Sequence, residues 1–158
     1  MLEEEKSSKD SIGYFNQSQL ILKDHNATMS FGQSLAKILD REDLLLLDGP
    51  LGAGKTSLVK GIAKGLLIKE PITSPTFSLS HHYLSGQRSL IHLDLYRLEN
   101  SLAANDLFLQ EEENAISMGA LLVVEWASRL SCNISKTWHL EIKYMPDAGR
   151  KIEIISST

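Results

Sequence analysis

The sequence predicts an α/β fold, a three-layer sandwich with a largely parallel central sheet and antiparallel C-terminal strands. The first basis is a set of short apolar runs at 44–47, 89–95 and 120–124, the pattern of strands buried on both faces of a parallel sheet. The second is helical apolar spacing between the early runs, and the third is a pair of alternating segments near the C-terminus. This order of strands and helices is typical of an α/β sandwich.

Length and local composition predict the domain organisation. A chain of 158 residues is long enough for one domain with a substantial core and too short for two. Residues 1–18 are polar, mixed in charge and without apolar periodicity, so we expect a mobile N-terminal extension. Residues 19–158 then form a single domain.

The first elements of that domain follow from periodicity. Residues 19–23 alternate like a short strand. A helix is expected next, capped by Asn26 or Thr28, with an apolar face formed by Phe31, Leu35, Ile38 and Leu39. The continuous run at 44–47 then predicts a strand buried in the middle of the sheet.

The later elements alternate between helix and strand. A helix with a buried stripe at Leu58, Val59, Ile62, Ala63 and Leu66 is expected to stop before Pro71. Residues 73–83 are interpreted as a loop followed by an alternating segment, and 102–116 as an acidic helical stretch. Residues 137–144 and 151–155 alternate like partly exposed strands joined by a turn, and we expect them to pair antiparallel.

Composition excludes several functional classes. With 42% hydrophobic and 23% charged residues, the chain is typical of a soluble globular protein. A net charge of -4 argues against gripping nucleic acid through a basic surface, so any contact with RNA is expected to be local or indirect. The single Cys132 excludes an intrachain disulfide and a multi-cysteine zinc site. No signal-like or bilayer-length apolar segment is found, which predicts the cytoplasm.

Residues 49–56 read Gly-Pro-Leu-Gly-Ala-Gly-Lys-Thr and satisfy the phosphate-binding pattern G-x-x-x-x-G-K-[ST]. The required context is present, because a buried strand precedes the motif and an amphipathic helix follows. Gly52 and Gly54 permit backbone shapes that turn N–H groups toward phosphate oxygens, and the helix N-terminus adds partial positive charge. Lys55 is suited to the β and γ phosphates, and Thr56 to one coordination position of Mg²⁺. The predicted fold is therefore P-loop NTPase-like.

Two carboxylates are candidates for the other half of a hydrolytic site. Such a site needs an acid at the end of a nearby core strand to hold magnesium and orient water. Glu125 follows four apolar residues, which places it at a strand end facing the same edge of the sheet as the motif. Asp94 lies in an alternating segment, where it either shares the metal with Glu125 or pairs with nearby Arg97.

Three further features leave alternatives open. The Thr-Ser-Pro-Thr-Phe segment at 73–77 is either a loop that senses the γ-phosphate or an ordinary turn. His81, His82 and His92 have no carboxylate or cysteine at ligand spacing, so we interpret them as surface or near-site residues rather than metal ligands. Trp126 is either a core aromatic residue or a cover for the nucleotide.

Taken in order, these motifs resemble those of the bacterial TsaE (YjeE) ATPases of tRNA threonylcarbamoyladenosine (t6A) biosynthesis. The resemblance rests on Leu-Gly-Ala-Gly-Lys-Thr at 51–56, Ser-Pro-Thr-Phe at 74–77, His-Leu-Asp-Leu-Tyr-Arg-Leu at 92–98, Glu-Trp at 125–126 and Gly-Arg at 149–150. It spans about residues 19–155, nearly the whole chain. The ordered set is far more specific than any single motif.

The resemblance implies a Mg²⁺-dependent ATPase that is slow without partners. In the family it works with the TsaD and TsaB complex, which transfers a threonylcarbamoyl group to adenosine 37 of tRNA, and ATP hydrolysis resets that complex. Contact with tRNA is thus indirect, and neither DNA nor a membrane is implied.

The resemblance also implies roles for individual residues. Lys55, Glu125 and Asp94 are the implied catalytic residues, and Thr56, Glu125 and Asp94 the implied metal ligands. The implied nucleotide contacts are Leu51, Gly52, Ala53, Gly54, Lys55, Thr56, Ser57 and Thr76, with His25 and Thr28 on the adenine side and Gly149 approaching from the opposite end.

Two positions depart from the family pattern. Pro50 stands where an acidic residue is usual, and Ala127 where proline is usual. Pro50 lacks an N–H group, but the phosphate-facing donors lie further on, so we expect nucleotide binding to be intact. We expect Ala127 to loosen the turn that positions Trp126.

Rival functions need other features. A regulatory GTPase normally carries an Asn/Thr-Lys-x-Asp motif, which the sequence lacks. A small P-loop kinase needs an arginine-rich lid, whereas the mid-chain arginines, Arg88 and Arg97, do not cluster. A nucleotide-dependent switch or a small P-loop kinase, unrelated to tRNA modification, stays as an alternative.

Overall fold

The computed structural model describes residues 18–41, 43–134 and 137–157. In that part of the chain the elements are β1 (Gln19–Leu22), α1 (His25–Ile38), β2 (Leu44–Asp48), α2 (Lys55–Gly65), β3 (Ser80–Tyr83), β4 (Leu90–Asp94), α3 (Ser101–Met118), β5 (Leu121–Glu125), a short 3-10 helix (Ala127–Arg129), β6 (Thr137–Tyr144) and β7 (Arg150–Ser157). The predicted extension lies outside the described residues except for Ser18, whose carbonyl accepts from the Ile154 N–H at 2.9 Å.

All the described strands join one sheet in the order β1-β7-β6-β2-β5-β4-β3. The central ladders β6–β2, β2–β5 and β5–β4 are parallel, whereas β1, β7 and β3 pair antiparallel with their neighbours. The predicted α/β class, with a largely parallel centre and antiparallel C-terminal strands, is confirmed.

Two cores cover the two faces of this sheet. Successive residues of β2 point to opposite faces, so Leu45 and Leu47 pack with α1 and α2, while Leu44 and Leu46 pack on the α3 side. All four of these leucines are at most 6% exposed, which explains why the run is apolar without alternation. Helix, sheet and helix form the three predicted layers.

The cap of α1 differs from the prediction. Asp24, rather than Asn26 or Thr28, occupies the N-cap, and its carboxylate accepts from the Ala27 N–H at 2.8 Å. Asn26 and Thr28 lie inside the first turn, since the helix begins at His25. The apolar stripe located the helix, but periodicity does not determine its first residue.

Helices α1 and α2 run in the same direction and lie very close. A β-carbon built at Gly61 would come within 2.3 Å of the Met29 carbonyl oxygen, and one at Gly65 within 2.8 Å of the Ala36 side chain. Later residues of α1 thus contact later residues of α2, so the N-termini of the two helices lie at the same end of the layer. The start of α1 therefore lies at the end where the 49–56 loop enters α2.

The carboxyl ends of the parallel strands form one edge of the sheet. In the register, Glu125 stands opposite Leu47 on one side and Asp94 on the other. The β6–β7 hairpin closes on the same edge, with Tyr144 paired to Arg150. None of the described helices is long and apolar enough to cross a membrane.

Candidate functional site

A cavity of about 250 Å³ opens at this edge of the sheet. Its walls are Leu51, Gly52, Gly54, Lys55, Thr56, Ser57, Ser74, Thr76, Asp94, Glu125 and Trp126. Four separate segments contribute to it: the Gly-rich loop with the start of α2, the 73–77 loop, the end of β4 and the end of β5. The cavity thus brings together most of the site residues expected from the sequence.

The loop enters α2 through a left-handed residue. Gly54 has φ 109° and is the N-cap of α2, a conformation that a residue with a β-carbon resists. The first hydrogen bond within the helix runs from the Leu58 N–H to the Gly54 carbonyl at 2.9 Å. The N–H groups of residues 55–57 precede that bond and have no acceptor within the helix, which makes this end of α2 suited to binding an anion.

Lys55 is folded over its own loop. Its Nζ donates to the carbonyls of Gly49 at 2.5 Å and Pro50 at 2.9 Å, and lies 4.7 Å from the centre of the Trp126 ring. The Pro50 carbonyl also accepts from the Ala53 N–H at 3.1 Å. Pro50 therefore contributes an acceptor here, and the N–H group that it lacks is not needed for these contacts.

Burial and carboxylates act on Lys55 in opposite directions. The side chain is only 5% exposed, and this burial lowers its pKa below the ordinary value. The negative charges of Glu125, Asp94 and Asp48 favour the ammonium form and offset part of that effect. The three carboxylates therefore act on the amine at a distance, while its hydrogen bonds go to the Gly49 and Pro50 carbonyls.

Thr56 and Glu125 are joined directly. The Thr56 hydroxyl donates to Glu125 Oε1 at 3.0 Å, although the two residues are 69 positions apart in the chain. Glu125 ends β5 and is 3% exposed, so its carboxylate depends on such partners. The contact combines a hydroxyl at the start of α2 with an acid at the end of a neighbouring strand.

Asp94 ties the 73–77 loop to the sheet. Its Oδ2 accepts from the Thr76 hydroxyl at 2.8 Å, and its Oδ1 accepts from the Tyr96 N–H at 2.9 Å. Of the two alternatives for Asp94, the pair with Arg97 is not formed in the described chain, because that guanidinium lies over the Phe77 ring at 5.0 Å. Asp94 thus connects the loop to the cavity.

Trp126 forms part of the cavity wall in a strained conformation. Its backbone is left-handed, with φ 58° and ψ 43°, which is uncommon for a bulky residue. The centre of its ring lies 4.9 Å from the centre of the Tyr96 ring, and Cζ of Arg129 lies 5.6 Å from the Trp126 ring centre. The indole therefore covers Lys55 while packing against the turn that follows it.

That turn has hydrogen bonds of its own despite Ala127. The Leu130 N–H donates to the Ala127 carbonyl at 2.9 Å, and the Ser128 N–H donates to Asp48 Oδ1 at 2.9 Å. Asp48 also accepts from His139 Nε2 on Oδ2 at 2.6 Å. Burial acts to raise the pKa of Asp48, but the hydrogen bonds from His139 and Ser128 outweigh it, and the pKa lies below the ordinary 3.8.

The β6–β7 hairpin holds the loop from outside. The Tyr144 hydroxyl donates to the Leu51 carbonyl at 2.5 Å, and Arg150 Nε donates to the Ala53 carbonyl at 2.7 Å. The Arg150 guanidinium lies over the Tyr144 ring at 4.8 Å. These two hydrogen bonds hold the Leu51 and Ala53 carbonyls outward. Because the C=O and N–H of a peptide group point in opposite directions, the N–H groups that follow them face inward.

Sequence reasoning missed Asp48, His139 and Tyr144 altogether, and it found Arg150 only through the family resemblance. For Asp48 a signal existed, since an acid at the end of the strand before the motif reaches the same edge as Glu125. Tyr144 carries no local signal.

Four of the expected nucleotide contacts do not line the cavity. Ala53 is fully buried, and its N–H points into the loop toward Pro50. His25 is exposed, and Thr28 is 2% exposed with its hydroxyl 3.4 Å from the Asp24 carbonyl. These contacts stay predictions.

Gly149, the last of the four, lies on a different side from that expected. A β-carbon built there would come within 2.8 Å of the Leu22 carbonyl oxygen and 3.6 Å of Lys23 Cα. The expectation that this turn approaches from the end opposite His25 was wrong, because the pairing of β1 with β7 brings the turn beside the start of α1.

The histidines behave differently from one another. His81 Nε2 contacts the Ser78 hydroxyl at 2.7 Å, and His82 Nε2 lies 2.5 Å from Glu111 on α3. His92 is fully buried, with Nε2 3.1 Å from Glu125 Oε1. Within the described ranges, no group of three or more histidine, cysteine or acidic side chains is arranged to hold a metal.

The donor set at the cavity fits a hard divalent cation. Thr56, Glu125 and Asp94 offer only oxygen atoms, which are the ligands that Mg²⁺ prefers, and no thiolate or imidazole lines the cavity. Magnesium commonly takes one or two protein oxygens together with phosphates. The anion-binding end of α2 beside these oxygens suits a magnesium-bound phosphate ester.

Comparisons with known proteins agree with this geometry. Residues 22–152 match the family model described as "Threonylcarbamoyl adenosine biosynthesis protein TsaE". A Nostoc sp. protein called "tRNA threonylcarbamoyladenosine biosynthesis protein TsaE" is 37% identical, covering 92% of this chain and 90% of its own. A Synechocystis sp. protein of the same name is 44% identical, covering 73% of each chain.

A solved structure supports the same conclusion. The crystal structure of YdiB from Bacillus subtilis superposes with a TM-score of 0.65 at 27% identity, covering 86% of this chain and 82% of that one. Because the family model spans most of the sequence and the relatives match over most of their length, this chain belongs to the TsaE family.

Proposed function

We propose that this protein is a Mg²⁺-dependent ATPase required for threonylcarbamoylation of adenosine 37 in tRNA, acting with TsaD and TsaB. The observation that carries the ATPase part is the hydrogen bond from Thr56 to Glu125, inside a cavity that also contains Lys55 and the N-terminus of α2. The names of the relatives support the place in t6A biosynthesis.

Phosphate recognition belongs to the loop and the start of α2. The N–H groups of residues 51–57, apart from that of Ala53, bind the phosphates together with the Lys55 ammonium. Ala53 acts through the loop backbone, since its N–H is bonded to the Pro50 carbonyl. Thr76 contacts the nucleotide from the opposite wall, since its hydroxyl is already at the cavity. His25, Thr28 and Gly149 bind on the adenine side, at the end of the helical layer where α1 begins.

Hydrolysis is assigned to three side chains. Lys55 stabilises the negative charge that develops on the phosphoryl oxygens. Glu125 orients the attacking water and accepts its proton, and Asp94 supports the same region from the adjacent strand end. Thr56, Glu125 and Asp94 hold Mg²⁺, which neutralises charge on the phosphates when bound. Hydrolysis is slow until partners complete the site.

Coupling to the partners runs through the 73–77 loop. Asp94 links this loop to the site through Thr76, so a change at the phosphates alters the hydrogen bonds that hold the loop. We propose that TsaD and TsaB respond to this loop and are reset by hydrolysis. The protein acts in the cytoplasm and contacts tRNA only through its partners, with no role for DNA or a membrane.

The test is reconstitution of tRNA modification with TsaD, TsaB, tRNA, a threonylcarbamoyl donor and ATP. Repeated turnover of the complex is expected only when this protein is present, and the Lys55→Ala variant is expected to fail. Lys60→Ala, an exposed lysine on the same helix, is the matched control and should behave as wild type. Modification that continues unchanged without this protein, or ATP-dependent phosphorylation of a small molecule, would contradict the proposal.

A further inference from the structure

We infer that His92 is a positioning residue for Glu125. Its imidazole donates from Nε2 to Oε1 of the carboxylate and, together with Thr56, fixes that oxygen so that Oε2 is left for metal or water. The inference rests on the proposed function, because it concerns how the acid of that same site is held.

His92 does not line the cavity itself but lies buried in the sheet beside Glu125, which does. It is fully buried in β4, two residues before Asp94, and its partner in the register is Val123, two residues before Glu125. Its neighbours Ile91 and Leu93 point to the α3 face of the sheet, so His92 points to the face that α2 covers. The ring therefore lies beneath the point where α2 and the two strand ends meet.

Two donors from different elements meet one oxygen. Thr56 at the start of α2 lies 3.0 Å from Glu125 Oε1, and His92 of β4 lies 3.1 Å from the same atom. Among the described residues, both hydrogen bonds that Glu125 accepts fall on Oε1. A carboxylate held at one oxygen by two rigid elements has little freedom to rotate, which is the requirement for presenting the other oxygen in a constant direction.

The contact with Glu125 determines which ring nitrogen of His92 carries the proton. A carboxylate only accepts hydrogen bonds, so Nε2 carries the proton. Nδ1 is buried and has no hydrogen-bond partner in the described part of the chain. Burying an unpaired ring nitrogen costs free energy that an aliphatic residue would avoid. A role in packing alone therefore does not explain a histidine here, whereas a donor for Glu125 does.

Supports of this kind have measurable effects. Removing a side chain that orients a metal-binding or reacting group typically costs about 10-fold to 100-fold in affinity or rate. For His92→Leu we expect kcat for ATP to fall by about 10-fold or more, and the Mg²⁺ concentration needed for nucleotide binding to rise by a similar factor. KM for ATP at saturating Mg²⁺ should change by no more than about twofold, because the loop and Lys55 are untouched.

Two amide variants separate positioning from packing. Glutamine places its N–H₂ near the position of Nε2, so His92→Gln should recover most of the lost rate and of the Mg²⁺ dependence. Asparagine reaches only as far as Nδ1, so His92→Asn should resemble His92→Leu. Melting temperatures of the full chain without nucleotide report any purely structural effect. A folded His92→Leu variant with wild-type kcat and Mg²⁺ requirement would overturn the inference, as would amide variants that change only the melting temperature.

A measurement on the wild-type chain decides the question independently of ATP chemistry. In protein labelled with ¹⁵N-histidine, two-bond ¹H–¹⁵N correlations should show His92 protonated at Nε2, and Glu125→Ala should shift that resonance while leaving His82 unchanged. Protonation at Nδ1, or no response to Glu125→Ala, would refute the positioning role. A wild-type protein that gives the expected spectrum but neither binds nor hydrolyses Mg·ATP would instead refute the proposed function.

Discussion

Replacing Asp48 by asparagine tests how the Gly-rich loop and the Trp126 turn are held together. The carboxylate accepts from the Ser128 N–H on Oδ1 and from His139 Nε2 on Oδ2, and it bridges β2, the turn after β5 and β6. An asparagine side chain offers one acceptor and one donor. Turned one way, its N–H₂ group faces the Ser128 N–H. Turned the other way, it can donate to His139 Nε2 only if the imidazole proton moves to Nδ1, and in both cases the charged acceptor of the two hydrogen bonds is lost.

The expected cost follows from burial. The Asp48 side chain is 14% exposed, so water replaces little of the lost contact. A hydrogen bond to a charged group contributes about 1.5–3 kcal/mol, and we expect a cost of about 2 kcal/mol for Asp48→Asn. For a chain of 158 residues this corresponds to a fall in melting temperature of about 4–8 °C.

The pH dependence has a definite sign. Because the folded-state pKa of Asp48 is below its ordinary value, its contribution is complete above that ordinary value and is lost as pH falls through the folded-state pKa. Thermal unfolding should therefore show the full gap between wild type and Asp48→Asn at neutral pH and a shrinking gap below about pH 4. Asp147→Asn, at an exposed turn position, is the control and should show no gap. Equal stability at neutral pH, or a gap that persists in acid, would refute the reasoning.

Three further changes probe the site itself. Lys55→Ala should weaken Mg·ATP binding by about 100-fold in calorimetry, since a charge-assisted contact contributes up to about 3 kcal/mol; near-normal affinity would contradict its role. Thr76→Val removes the donor to Asp94 but keeps the shape, so amide hydrogen exchange across 73–79 should accelerate, and unchanged exchange would count against the loop tether. Gly52→Ala places a β-carbon 2.6 Å from the Tyr144 hydroxyl, in a backbone with φ 75°, and should weaken ATP binding. The double variant with Tyr144→Phe removes the clash but not the backbone strain, so it should recover only part of the affinity. Full recovery would show that backbone strain is unimportant there.

Elements defined by local patterns were predictable. The strand at 44–47 is a run of four leucines buried on both sides. A continuous apolar run this short is typical of a strand inside a parallel sheet. Lys55 and Thr56 were found because phosphate binding requires a Gly-rich loop followed at a fixed spacing by Lys and Thr at the start of a helix. That spacing can be read directly from the sequence. Glu125 was found because four apolar residues end at it. In each case the signal lies within a few consecutive residues.

What escaped prediction depends on register between distant segments. The Tyr144 contact with Leu51 and the His139 contact with Asp48 join residues more than 90 positions apart, and both follow from the parallel pairing of β6 with β2. A sequence pattern indicates that 137–144 is a strand but not which strand it pairs with. The misplaced Gly149 has the same origin, since its position depends on β1 pairing with β7.

The most direct test of the account is to measure binding and hydrolysis of Mg·ATP on the same sample of Glu125→Ala. At saturating Mg²⁺ the variant should bind Mg·ATP through the loop and Lys55 with nearly wild-type affinity, while single-turnover hydrolysis falls by about 100-fold or more. Glu113→Ala, an exposed acid on α3, is the control and should hydrolyse normally. Tight binding combined with wild-type hydrolysis in Glu125→Ala would contradict the assignment of this cavity as a hydrolytic site built on Glu125.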